Sequence, residues 1–263
     1  MEKFWIKLVQ LCFICSIIGI NELGQAQSAD SLINSGKILL SKGSFSKAKS
    51  DFSKAYELLK QKKHQDSTLA LMGIGQAYLM QYSPQKAIKI FNVCEKGFQN
   101  QGNNIEEAFT LSNLYNNLGT CYNIINKLDS ALLYNQKAIL SSKIHSNERG
   151  DYYTSRALIF RRLQLRDSAY FYYQKSLKIF QKNHGAKSLT IARTYYNISN
   201  LFKGNNADSS LKYTLLSIES NLPNFKSEPY GTNHIPYKDA FSKVILIASL
   251  LRKGELLSQS KST

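Results

Sequence analysis

Apolar side chains recur along most of this chain at the three- and four-residue spacing of amphipathic helices, and small side chains recur within that pattern. Five predicted helices carry a small residue near the middle, at Gly36, Gly75, Gly119, Ala157 and Ser199. A second helix follows each of them, with a small residue near its start, at Ala48, Ala87, Ala131, Ala169 and Ser210. Another small residue comes two turns later, at Ala55, Cys94, Ala138, Ser176 and Ser217. The pair of helices recurs every 38 to 44 residues, and this repeat predicts an all-α fold.

The predicted second helices also have start signals of their own. Residues that can accept hydrogen bonds from backbone N–H groups are predicted as helix N-caps at Ser46, Asp129, Asp167 and Asp208. Ser83 is followed by Pro84, and proline suits the first position of a helix. The sequence has no alternating β-branched run of the kind that predicts a strand.

The segment LYNNLGTCY at residues 114–122 carries the most specific pattern, with Tyr115, Leu118, Gly119 and Tyr122 at fixed spacing. This pattern resembles the first helix of the tetratricopeptide repeat (TPR), a helix-turn-helix unit with a period of about 34 residues. The resemblance implies a right-handed TPR superhelix, an α-solenoid, because one repeat cannot bury its own apolar face. We expect about five repeats and a C-terminal helix. The predicted repeats span residues 29–67, 68–111, 112–149, 150–191 and 192–222.

The N-terminus has the layout of a secretory signal peptide. Lys3 and Lys7 precede an apolar stretch over residues 8–20, and a polar segment then ends at Ala26. We therefore expect residues 1–26 to be removed and the mature protein to be periplasmic or extracellular. A membrane anchor is the alternative, although the apolar stretch is shorter than the roughly 20 residues that a spanning helix needs.

Charge and cysteine content narrow the range of partners. The net charge is +16, which suits acidic partners, anionic membranes or nucleic acid, and is also common on solvated surfaces. Export and the lack of a nucleic-acid-binding motif favour a protein or peptide partner. Cys94 and Cys121 occupy positions where small packing residues are expected. A disulfide between them stays open as an alternative in an oxidising compartment.

We find no catalytic or metal-binding pattern in the sequence. The four histidines are far apart and none has a partner at metal-ligand spacing. His145 and His184 are predicted to lie in loops between repeats. Phosphate-binding and nucleophile motifs are also missing from the sequence. We therefore expect a non-enzymatic protein that needs no cofactor or metal.

The TPR resemblance implies a concave groove lined by the first helices. One column of groove positions holds Asn34, Gly73, Asn117, Ser155 and Asn197. An asparagine side chain can bind the backbone of an extended peptide through both its donor and its acceptor. The alternative is that Asn117 and Asn197 only bond one helix to another. The predicted groove residues are Asn34, Lys37, Gln76, Asn113, Asn117, Thr120, Asn123, Arg162, Arg193, Asn197 and Asn200.

The C-terminal third carries a finer resemblance. Residues 183–202 and 217–241 are similar to the end of the TPR region that precedes a caspase-like CHAT domain in bacterial proteins. A proline-containing connector is predicted at 223–237, followed by a helix and tail at 238–263 that form half a repeat. Two functions are therefore expected as alternatives. The first is an exported scaffold that binds a protein or an extended peptide, which can be acidic. The second is the sensory arm of a CHAT protease or of a sensor kinase. We expect the CHAT domain itself to be missing from this chain.

Overall fold

A computed structural model describes residues 28–60, 66–99, 105–222, 240 and 242–260. These residues form helices joined by short turns and contain no strand, which confirms the predicted all-α fold. The predicted signal peptide, the predicted connector, His64 and His234 lie outside the described residues. Residues 223–239 and 241 of the CHAT-like segments also lie outside them.

The described residues contain eleven helices, α1 to α11 in chain order. The helical part of α1 covers residues 28–41. The others are α2 (Phe45–Lys60), α3 (Asp66–Met80), α4 (Pro84–Gln99), α5 (Ile105–Ile124), α6 (Leu128–Ser141), α7 (Asn147–Arg162), α8 (Arg166–His184), α9 (Leu189–Phe202), α10 (Ala207–Asn221) and α11 (Lys243–Ser260). The chain divides into an N-terminal unit that ends at Lys127 and a C-terminal unit that begins at Leu128.

The N-terminal unit is packed around two phenylalanines of its second helices. α2 packs on α3, α3 on α4, and α4 on α5. A Cβ atom added to Gly36 would lie 2.7 Å from the Phe52 ring, and one added to Gly75 would lie 2.5 Å from the Phe91 ring. Both rings are fully buried. The predicted small residues Gly36 and Gly75 are therefore confirmed as points of close helix contact.

The C-terminal unit uses serine and threonine hydroxyls at the corresponding positions. α7 packs on α8, α9 on α10, and α10 on α11. The Ser199 and Thr214 hydroxyls lie 2.7 Å apart between α9 and α10. Ser217 Oγ donates to the Ala192 carbonyl at 2.8 Å, and all three of these side-chain hydroxyl residues are buried. The small residues here join helices by hydrogen bonds as well as by close packing.

Three of the predicted N-caps are wrong by two residues. Asp129, Asp167 and Asp208 lie in the first turns of α6, α8 and α10 instead of before them. An acidic side chain in the first turn is favourable because it faces the positive end of the helix dipole. The residue before α10 is Asn206, whose side chain accepts from the Ser209 N–H at 2.8 Å. The N-cap and the first turn of a helix both favour Asp, so the residue type alone did not show which of the two positions each Asp occupies.

Of the other two predicted helix starts, one is wrong and one is confirmed. Ser46 lies inside α2, which begins at Phe45, whereas α4 does begin at Pro84 as predicted. α11 begins at Lys243, and the preceding Ser242 is held by Asn221: the Ser242 N–H donates to Asn221 Oδ1 at 2.9 Å. Asn221 Nδ2 donates back to the Ser242 carbonyl at 2.7 Å. This pair of bonds fixes the start of α11 against the end of α10.

Candidate functional site

Residues of α1, α2, α3 and α5 line a pocket of about 220 Å³ in the N-terminal unit. Three of the predicted groove residues line it: Lys37 from α1, Gln76 from α3 and Asn113 from α5. The other lining residues were not predicted from the sequence, and neither was the role of Gly73. They are Phe52, Leu69, Met72 and Thr110. The pocket thus combines an apolar floor with polar groups from three helices.

Gly73 lies at the floor of this pocket. It occupies the position that asparagine holds in α1, α5 and α9. A Cβ atom at residue 73 would come within 2.5 Å of the Phe52 ring, so only glycine lets the ring lie here without a shift. Leu69, Met72, Gly73 and Gln76 follow the helical spacing of one face. That spacing was the sequence signal that would have found the part of the floor that α3 contributes.

The other predicted groove residues of this unit differ in their surroundings. Asn34 is exposed on α1. Asn117 on α5 is half-buried, and its Nδ2 is buried without a hydrogen-bond partner among the described residues. Thr120 Oγ1 donates to the Asn116 carbonyl at 2.9 Å, within α5. Asn123 is half-buried near the end of the same helix. A buried amide donor without a partner is energetically costly.

The C-terminal unit carries the other four predicted groove residues. Arg162 and Arg193 are exposed, and Asn197 is half-buried on α9. Asn200 Oδ1 accepts a hydrogen bond from the guanidinium of Arg252 on α11. Arg252, which is 8% exposed, was not predicted from the sequence. Asn200 is therefore engaged in joining α11 to α9.

Asp151 on α7 is an acidic residue that interacts with Arg193, one of the predicted groove residues. It is an exposed residue, yet loss of water around its carboxyl raises the pKa to about 6. The positive charge of Arg193 opposes that shift.

The described residues contain no cluster of three or more histidine, cysteine, aspartate or glutamate side chains that could hold a metal ion. His145 is exposed in the loop before α7, as predicted, whereas His184 is the last residue of α8 and not a loop residue. Cys94 and Cys121 are free and buried, and burial raises the pKa of each thiol to about 12. A disulfide between them is not formed in this structure.

Comparisons with known proteins agree with the fold. Residues 29–60 match the family "Tetratricopeptide repeat". The structure of RapI in its apo form has a TM-score of 0.61 at 9% identity, covering 90% of this chain and 85% of that chain. PilF of Pseudomonas aeruginosa has a TM-score of 0.57 at 16% identity, covering 91% and 93% respectively. BtubC from P. vanneervenii has a TM-score of 0.53 at 17% identity, covering 92% and 93%.

No curated protein sequence matches the chain. Among the residues that the structure describes, no helix is both long and apolar enough to cross a membrane. At these identities the structural similarities concern the fold. The chain contains a tetratricopeptide repeat and has the consecutive helix pairing of a TPR solenoid.

Proposed function

We propose that this protein is a non-catalytic scaffold that binds an extended segment of a partner protein on its first-helix face. The pocket lined by Lys37, Gln76 and Asn113 is the observation that carries this proposal. Its apolar floor suits one apolar side chain of the ligand, while the polar groups suit the ligand backbone and a carboxylate. Pockets that combine apolar walls with a few placed polar groups are typical binding sites.

Charge defines the ligand further. Lys37 is exposed at this pocket, and the whole chain carries a net charge of +16. A carboxylate of the ligand would form a charge-assisted hydrogen bond with the Lys37 ammonium, which is stronger than a bond between neutral groups. We therefore propose an acidic peptide with an apolar residue beside its carboxylate, and no nucleic acid.

An array of acidic and basic extended peptides, each with one central apolar residue, tests the proposal. We expect wild-type protein to retain acidic peptides and Lys37→Glu to lose them by at least about tenfold in affinity. Lys54→Glu is the matched control, since Lys54 is an exposed lysine of α2 outside the pocket and changes the charge equally. Equal losses in both variants would show that only net charge matters and would refute the site.

The place of action follows from the predicted signal peptide. We propose that residues 1–26 are removed during export and that binding takes place outside the cytoplasm. The supporting feature is the basic, apolar and small-residue order of this segment. N-terminal sequencing of the protein from its native host should give a start near Gln27. A start at Met1 in the cytoplasmic fraction would refute export without affecting the proposed binding site.

A further inference from the structure

The last helix, α11, has apolar side chains on two opposite faces. Leu246, Ser249 and Leu256 are buried on one face. On the other face Val244, Ile247 and Leu251 are 76%, 45% and 70% exposed. Gly254 and Ser258 continue the same spacing and are also exposed. A surface helix normally places polar residues opposite its buried face. We call Val244, Ile247, Leu251 and Gly254 the α11 stripe.

Helix α11 has the sequence and contacts of a first helix of a repeat. Leu250, Gly254 and Leu257 have the spacing of Tyr115, Gly119 and Tyr122 in α5. α11 packs on α10 and also contacts α9. Ser249 Oγ lies 2.9 Å from Ser217 Oγ of α10. In this register Ile247, Leu251 and Gly254 of α11 correspond to residues 29, 33 and 36 of α1.

The corresponding positions of earlier first helices are covered by a second helix. Ala29, Ile33 and Gly36 of α1 are buried, and the Phe52 ring of α2 lies over Gly36. The Phe91 ring of α4 lies over Gly75 of α3 in the same way. At Gly254, in contrast, an added Cβ atom would meet nothing within 4 Å. The α11 stripe is therefore a first-helix face to which no second helix is bound among the described residues.

We propose that the α11 stripe is a docking site for an amphipathic α-helix of a partner protein. The partner helix would carry the pattern of this chain's own second helices: a small residue, an aromatic residue four positions later and a small residue three positions after that. In α2 this pattern is Ala48, Phe52 and Ala55. The aromatic ring would cover Gly254, and the small residues would let the helix approach Ile247 and Leu251.

A second copy of this chain does not fit the site as well. In α2 and α4 the aromatic rings already lie against glycines of their own unit, so they are not available to a second copy. The copy could offer the stripe of its own α11, which has no aromatic side chain. The large positive net charge of each copy also opposes self-association.

The probe is a fluorescent, hydrocarbon-stapled peptide with the sequence of α2, since an isolated helix of this length is only marginally stable. We expect saturable binding in the micromolar to millimolar range. Leu251→Glu and Gly254→Leu should weaken it by at least about tenfold. Both residues are exposed, so circular dichroism should show an unchanged helix content. A peptide with Ser in place of the phenylalanine that corresponds to Phe52 should also fail to bind.

Two controls separate this site from others. Leu133→Glu alters another exposed leucine, and Lys37→Glu alters the pocket of the N-terminal unit; both should leave peptide binding unchanged. The proposal is overturned if the peptide does not bind or binds Leu251→Glu as well as wild type. It is also overturned if sedimentation shows a dimer of the free protein that Leu251→Glu abolishes, because the occupant would then be a second copy.

Discussion

At the scale of single residues, glycine and serine serve different purposes at equivalent positions. Glycine inside a helix costs roughly 0.5–1 kcal/mol relative to alanine. In the N-terminal unit that cost is offset by the burial of an aromatic ring against Gly36 and Gly75. In the C-terminal unit Ser199 accepts the same close approach and forms a hydrogen bond as well. The sequence predicted small residues at these positions but not which side chain each would meet.

Gly75→Ala tests the close approach. The added methyl group would lie 2.5 Å from the buried Phe91 ring, so we expect the free energy of unfolding to fall by roughly 1–3 kcal/mol. Gly254→Ala is the matched control in a helix interior, because its methyl group meets nothing within 4 Å. It should raise the free energy of unfolding by roughly 0.5–1 kcal/mol. Urea titration measures both, and a stabilised Gly75→Ala variant would contradict the packing described.

The two buried thiols give a chemical prediction at the same scale. Since the thiolate is the reactive form, a pKa of about 12 leaves Cys94 and Cys121 almost wholly protonated at neutral pH. Iodoacetamide should label neither residue in the folded protein and both in denaturant without reductant, as read by peptide mass spectrometry. Rapid labelling of the folded protein would show exposure. Failure to label in denaturant would show that a disulfide forms.

At the scale of elements, the sequence predicted which segments form helices better than it predicted where each helix begins or which helices are joined by hydrogen bonds. The repeated spacing of small and apolar residues identified the helix pairs because one face of each helix is buried. The caps at α6, α8 and α10 were misplaced because Asp favours both the N-cap and the first turn. The contact between Arg252 and Asn200 was missed because it joins residues 52 positions apart on α11 and α9.

Arg252→Ala tests how α11 is held. Arg252 is 8% exposed, donates to Asn200 and pairs with Glu255 at 2.9 Å. Loss of hydrogen bonds to a charged, buried group should lower the free energy of unfolding by roughly 1.5–3 kcal/mol. Lys203→Ala removes the other partner of Glu255, at 2.9 Å, from an exposed pair and should have little effect. Equal melting temperatures for Arg252→Ala and wild type would show that the bonds of Arg252 contribute little to holding α11.

At the scale of the whole molecule, the sequence predicted the fold class and part of the candidate site. The repeat period carries the fold because stacking neighbours is the only way for each helix pair to bury its face. Lys37, Gln76 and Asn113 were predicted because their register on the first helices resembles a TPR groove. The apolar floor was not, because Phe52 reaches the pocket from α2 past Gly73. A register on one helix does not report what a neighbouring helix contributes.

The net charge of +16 predicts opposite effects of salt on folding and on ligand binding. Charges of one sign repel one another in the folded state, and salt screens this repulsion, since the Debye length falls from about 10 Å at 0.1 M to about 3 Å at 1 M. Sodium chloride should therefore raise the melting temperature.

The same screening by salt should weaken binding of an acidic peptide at Lys37. It should leave the stapled α2 peptide bound at α11 because that contact is apolar. Calorimetry and fluorescence anisotropy over one salt series measure these quantities. A melting temperature that falls with sodium chloride would show that favourable ion pairs outweigh the repulsion, and acidic-peptide binding that does not weaken would remove the charge-assisted bond at Lys37.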